Sequence, residues 1–453
     1  MHFARTKNCT RGISVIQVLP FCGWRFDLSQ VGALSEVLAP AAGEIDETLQ
    51  RTLYRLHPCN TVRLVSNREE PGDTSAAERV TRADDFFRLW RKEGILLREH
   101  ETAFYIVETR FRHGIEDKER WSIFGHLGLA TSTGEPAMPV LLQKPEPSEI
   151  QASLEMRRVC HADFSPVVAL VENTTADAVL GSLSEYAERL VRQSTPVECF
   201  LEHGIRHRVW AVTSEAAKNQ LTQRLSASQI SLVSGTAQFH AAQQHFAQLK
   251  AAGQSSDPND PAGRLLTCFI AADDPGLEFL PGFFRVPCEG QSGPQLREAA
   301  GMITGLQCRF VGNEEYAAAD ALELAALNDE QPCMAVGTGD GEWHLLSAPA
   351  RCRNPRELTA LLCSEVLKCS TDSVRHFSVP PDPARQGRPQ LPRVGALEVL
   401  MAASAFRMDA ALEETFSSVI SGLRESDIRI FPGIPVGLVF SAHSDRVSFS
   451  VHA

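Results

Sequence analysis

Apolar and polar positions along this chain switch repeatedly between a helical period and a strand period. Over residues 81–93, Thr-Arg-Ala-Asp-Asp-Phe-Phe-Arg-Leu-Trp-Arg-Lys-Glu, the apolar side chains Ala83, Phe86, Phe87 and Trp90 share one helical face. Thr81 and Asp84 read as its cap, and Gly94 as its stop. Residues 104–111 then run through β-branched and aromatic types and predict a strand. A strand over 206–212, a helix over 215–225 and a strand over 230–233 follow. Ser234-Gly235 next opens a helix at about Thr236 that runs to 250. Its stripe is Phe239, Ala242, Phe246 and Leu249, of which Phe239, Phe246 and Leu249 are expected to be buried. No repeat of fixed period is present, and the alternation predicts a mixed α/β (α+β) fold.

Two segments punctuate the pattern. Residues 252–263 form a polar loop rich in proline and glycine, and 379–392 carry five prolines. They suggest an N-terminal α/β region over 1–250, a second α/β lobe over 264–378 and a C-terminal module over 393–453. With 453 residues the chain exceeds what one core serves, so two to three packed lobes around a central cleft are expected.

Composition narrows the partners. A net charge of −12, with no long basic run, argues against nucleic acid, whose phosphates require clustered cations. The apolar stretch Ile13–Pro20 is too short for a secretion signal and reads as a first strand. No stretch has the length of a membrane span, so a cytoplasmic protein is expected. The 12 cysteines form no Cys-x-x-Cys pair and mostly sit singly in apolar runs, which favours reduced core thiols over disulfides or zinc.

A set of short motifs runs in order along the chain. They are Pro20-Phe-Cys-Gly-Trp-Arg-Phe-Asp27, Ala39-Pro40, Pro58-Cys-Asn-Thr-Val-Arg-Leu64, Asp163-Phe-Ser-Pro166, His207-Arg-Val-Trp210, Asp274-Pro-Gly-Leu277 and Phe431-Pro-Gly-Ile-Pro-Val-Gly-Leu-Val439. In order and spacing they resemble the family catalogued as domain of unknown function 1015 (DUF1015). The departures are specific. That family has Pro-Pro-Tyr-Asp where this chain has Pro40-Ala-Ala-Gly43, and Pro-His-Glu where it has Leu141-Leu-Gln143. Its Asp-Gly-His-His-Arg-Tyr-Glu-Thr-Ala stretch is here Ser234-Gly-Thr-Ala-Gln-Phe-His-Ala-Ala242. The resemblance extends more distantly to the ParB/sulfiredoxin-like superfamily, which includes nucleotide-dependent kinases of free serine. It implies a strand–Gly–helix turn for phosphate.

Read from its residues, the turn offers a glycine, a helix N-terminus, and the hydroxyls of Ser234 and Thr236. Those groups suffice to hold an anion weakly, or simply to cap a core helix. Phosphoryl transfer also needs cations on the moving group and a base on the nucleophile. Arg25, Asn60 and Arg63 are the polar residues left on the opening motifs. They either line the same anion cleft or tie loops to backbone carbonyls. The pair His203/His207, the pair His240/His245 and Gly337–Glu342 are set aside as a strand, a split helix pair and a hairpin turn. The resemblance thus implies a degenerate member, a pseudoenzyme with a binding or regulatory role in small-molecule metabolism of amino acids or phosphate. It would have no cofactor, and its partner would be a small anionic metabolite or a paralogous protein. The alternative is a divergent phosphotransferase, for example a serine kinase using ATP or ADP.

Overall fold

The computed structural model describes residues 16–113, 116–131, 135–141, 145–172, 182–200, 204–254, 260–280, 283–287, 292–313, 317–326, 331–352, 355–369, 375–377, 398–403, 429–431 and 433–443. Gln143, His203, the proline-rich 379–392 and most of 393–453 lie outside them.

The chain begins with β1 (Ile16–Leu19), β2 (Trp24–Phe26) and the short helices α1 (Leu28–Val31) and α2 (Leu34–Val37). Helices α3 (Glu47–Leu56), α4 (Val62–Val65) and α5 (Ala76–Lys92) lead to β3 (Leu96–Arg98) and the long hairpin β4 (Phe104–His113) and β5 (Glu116–Thr131). After β6 (Val140–Leu141) come α6 (Pro147–Cys160), β7 (Ala162–Asp163), β8 (Val167–Glu172) and α7 (Leu183–Val191). Then follow β9 (Val197–Phe200), β10 (Arg206–Val212), α8 (Glu215–Ala227), β11 (Gln229–Ser234), α9 (Thr236–Ala251) and β12 (Arg264–Ala271).

Nine of these strands form one mixed sheet in the order β6-β11-β8-β12-β5-β4-β10-β9, with β1 also on β5. Neighbours are antiparallel except β6 with β11 and β8 with β12. Because successive strand residues point to opposite faces, the sheet feeds two cores. Tyr105, Val107, Phe124, Cys268 and Ile270 meet Phe26, Leu64, Phe87 and Trp90 in one core. Ile106, Ile123, Ala169, Leu232 and Phe269 meet Tyr186 of α7, Leu221 and Leu225 of α8, and Phe239 and Phe246 of α9 in the other. Each such side chain contributes about 1.5–3 kcal/mol when fully buried, so these two layers set the positions of everything on their rims.

The expected strand–Gly–helix over 230–250 is present, with Phe239 and Phe246 buried. Leu249, in the last turns of α9, is only half-buried. Helix α5 starts at Ala76, not at Thr81. Ser75-Ala-Ala-Glu78 is the better start signal: Glu78 takes the Thr74 hydroxyl at 2.6 Å, while the Thr81 hydroxyl only bonds back to the Ala77 carbonyl. Asp84 therefore lies inside the helix, paired with Arg88 at 2.9 Å.

A second sheet follows. After β13 (Glu278–Leu280), its strands are β14 (Phe283–Pro287), β15 (Gln307–Gly312), β16 (Cys333–Gly337), β17 (Trp343–Ser347), β18 (Arg375–Phe377) and β19 (Glu398–Ala403), in the order β15-β17-β16-β19-β14-β18. Strand β19, from the segment read as a C-terminal module, lies between β16 and β14. Residues 338–341 make the expected hairpin turn, closed by Gly341 N–H on the Thr338 carbonyl at 2.9 Å. Strand β20 (Arg429–Phe431) pairs with β13, and residues 433–443 run back across the first core, ending in β21 (Ser441–Ala442) on β7. No helix among the described residues is long and apolar enough to cross a membrane. Nine described cysteines are free thiols.

Candidate functional site

Strands β2 and β3 form a two-stranded ribbon at the rim of the first core, with Arg25 opposite Leu97. Phe26 and Leu96 turn inward, and the Arg25 side chain lies outward, 29% exposed, where its Nε donates to Glu99 at 2.7 Å. Beside it opens a cleft of about 600 Å³. Trp24, Phe26, Leu34, Leu96, Val209 and Leu438 give it apolar walls, while Arg25, Arg91, Arg98, Asp27 and Glu99 bring charge to its rim. The Asp27 carboxylate also caps α1 by accepting Ser29 N–H at 2.9 Å.

Asn60 and Arg63 do not line this cleft. The fully buried Asn60 amide donates to the Glu36 and Leu38 carbonyls at 2.8 and 2.9 Å, and its oxygen accepts Val62 N–H at 2.9 Å. Arg63 donates to the His57 and Tyr54 carbonyls at 2.9 and 3.0 Å, with its guanidinium 4.4 Å from the Tyr54 ring centre. Both therefore tie the 54–64 segment to its neighbours. Asn60→Ala should cost about 2 kcal/mol in urea unfolding, since it strands the buried Leu38 carbonyl and the buried Val62 N–H. An unchanged midpoint would show that water replaces the amide.

The turn at Gly235 is a third, separate place. Gly235 adopts φ +81, and a Cβ there would stand 2.5 Å from Val167 Cγ1 and 2.9 Å from Gln238 Oε1. Val167 belongs to the second core, across the sheet from Phe26 and Leu64. A side chain at this position would thus collide with an isopropyl group and a neutral amide, so packing alone requires the glycine. Thr236 is fully buried, and its hydroxyl has no hydrogen-bond partner among the described residues. The six candidate residues accordingly occupy three places rather than one cleft.

What the motif segments do share is contact with residues 433–443. Val436 exchanges backbone hydrogen bonds with Ala39 at 2.8 and 3.1 Å, and Phe440 with Trp24 at 2.9 and 3.0 Å. Beyond them lies a buried polar cluster around Asp163, the first residue of the Asp163-Phe-Ser-Pro166 motif, whose partners Arg157, His126 and His443 lie outside every motif. Asp163 on β7 pairs with Arg157 of α6, and also accepts Leu266 N–H at 3.0 Å. Arg157 donates further to the Ala262 and Arg264 carbonyls at 3.2 and 2.7 Å. His443 Nε2 approaches Asp163 at 3.4 Å, and His443 N–H donates to the His161 carbonyl at 2.7 Å. His126 Nε2 meets the Ser441 hydroxyl at 2.7 Å, while Phe21 stacks on its ring.

Electrostatics in this cluster follow from burial. Burial alone would raise the Asp163 carboxyl; Arg157, His443 and the Leu266 N–H outweigh it and hold the group well below the usual carboxylate range. His126 is pushed down to about 3 by burial, and His245 on α9 to about 4 by burial with Arg157 and His443 adding. His443 is lowered as well, by burial and Arg157, against the pull of Asp163. Among the described residues no group of histidines, cysteines and carboxylates is arranged to hold a metal ion.

No curated protein matches the sequence. Among solved structures, SbnI with C-terminal truncation from Staphylococcus aureus aligns at 12% identity over 68% of this chain and 82% of that one. Its TM-score is 0.26, too loose a superposition to transfer either fold or residue roles. Residues 18–282, more than half of the chain, match the family described as protein of unknown function (DUF1015). The match spans the ribbon with Arg25, the segment with Asn60 and Arg63, the Arg157–Asp163 pair and the Gly235 turn, and by it the chain belongs to the DUF1015 family.

Proposed function

We propose that this DUF1015 protein is a non-catalytic binding or regulatory member that takes a small anionic metabolite in the cleft beside Arg25. The observation that carries the reading is the Gly235 turn, where the glycine packs against Val167 and Gln238, neither of which brings a charge. Phosphoryl transfer develops charge that must be met by cations, with a base on the nucleophile, and the turn contributes only neutral groups. The cleft has the opposite character. Its guanidinium groups offer charge-assisted bonds to a phosphate or carboxylate, and its apolar walls accept the body of the ligand. Arg25 is the residue to test, because its partner Glu99 is half-exposed and able to yield it.

Two measurements test this reading. With ATP or ADP and free serine, the protein should show no phosphorylated product above a heat-killed control. Turnover lost in Gly235→Ala would establish the alternative, a divergent phosphotransferase acting on serine. Phosphate at millimolar concentration should raise the melting temperature at low salt and much less at high salt, because partly exposed ion pairs are screened. Arg25→Ala should lose that shift and Arg63→Ala should keep it. A shift that survives in Arg25→Ala would move the ligand out of this cleft.

A further inference from the structure

The segment 433–443 is built as a strap. Its backbone is tied at Ala39, Trp24, His161 and β7, and Leu438 closes one wall of the cleft. Its last residue, His443, carries a side chain only 3% exposed into a cluster where Asp163, the single carboxylate beside it among the described residues, already has Arg157 as partner. We infer that 433–443 is a proton-released strap, closed while His443 is neutral against Asp163 and Arg157 and freed when that imidazole takes up a proton, so that the cleft loses its wall at Leu438.

The surroundings of His443 decide the sign. Around it stand Asp163 on β7, Arg157 and His161 at the end of α6, His126 on β5 and His245 on α9. Arg158 and Arg264 act on the same cluster from further off. A protonated His443 would thus be a second buried cation beside one shared carboxylate, and its Nδ1 has no hydrogen-bond partner among the described residues to take the proton's bond. Burial, then Arg157, lowers its proton affinity in the closed state, whereas a released imidazole returns to about 6.5. The group is therefore depressed when closed. The closed state keeps its full advantage above about pH 6.5 and loses it as pH falls through that value, by about tenfold per unit for each histidine that gains a proton on release. His126 couples to the same event, since Ser441, its partner at 2.7 Å, leaves with the strap. The inference stands on the strap alone and does not depend on what the cleft binds.

Hydrogen exchange on the full chain at about pH 7.5 and about pH 5.5, corrected for the chemical exchange rate, tests it. Protection of the 436–443 amides should fall about tenfold if His443 alone charges, and about a hundredfold if His126 joins it. His443→Gln, which cannot be protonated, should remove a factor of about ten from that dependence. Strap protection that does not change between the two pH values in the parent protein would overturn the inference, as would an undiminished dependence in His443→Gln. Should that variant not fold, NMR titration of the parent labelled at histidine Cε1 decides. His443 must then titrate below about 6.5, and a value at or above it ends the inference.

Discussion

Replacing Arg157 with alanine is expected to lower the unfolding free energy by about 3–5 kcal/mol, the range typical of breaking a buried ion pair by removing one partner. The guanidinium is 4% exposed and the Asp163 carboxylate 7%, so solvent gives little screening and cannot replace the lost charge. The same substitution strands the Ala262 and Arg264 carbonyls, which receive the second guanidinium nitrogen. Asp163 should then give up its low proton affinity. Its depressed carboxyl contributes stability that is present above the unfolded value near 3.9 and is lost as pH falls below it, and that contribution should shrink in the variant. Urea melts of the parent, Arg157→Ala, Asp163→Asn and the double variant at neutral pH separate the effects. The double variant should recover part of the loss, because it leaves no unpaired buried charge. A loss under about 1 kcal/mol in Arg157→Ala would mean that water reaches the pair.

Gly235→Ala should cost about 3 kcal/mol. A left-handed backbone angle of φ +81 disfavours any Cβ by about 1–2 kcal/mol. The added methyl would also press on Val167 at 2.5 Å, inside a core whose neighbouring strands do not give way. The overlap component should be relieved in Gly235→Ala/Val167→Ala, so the double variant should lose less than the sum of the single ones. This separates a packing role from a binding one. A folded Gly235→Ala protein with parental stability would show that the turn is free to move and would reopen it as an anion site.

Much of the fold was legible along the chain. Strands 104–111, 206–212 and 230–233 and the helix after Gly235 were readable because each has its own period and its own punctuation. Local signals also misled where two competed. Thr81-x-x-Asp84 and Ser75-x-x-Glu78 are both capping boxes on paper, and only the second has a carboxylate that reaches back to the chain before the helix. Arg25, Asn60 and Arg63 look equivalent in sequence, each polar and each in a family-like motif. Whether such a residue meets solvent or a carbonyl depends on which loop passes beside it. Helix α2 and the Leu38 that follows it supply the acceptors for Asn60, and the 54–57 segment supplies those for Arg63.

By itself, then, the sequence determined the alternation of helices and strands, the glycine-opened helix α9, the hairpin turn at 338–341 and membership of a family recognisable by ordered motifs. These are local properties, set by periodicity, chirality and turn chemistry within about a dozen residues. Tertiary structure decided what the polar residues are for. It placed Val167 against Gly235, gave Arg63 to two backbone carbonyls, left Arg25 on a cleft rim, and brought His443 to Asp163 from 280 positions away in the numbering. Such pairings carry no signature in either segment, because the free energy of burying a charge beside its partner appears only once the sheet has set the two side by side.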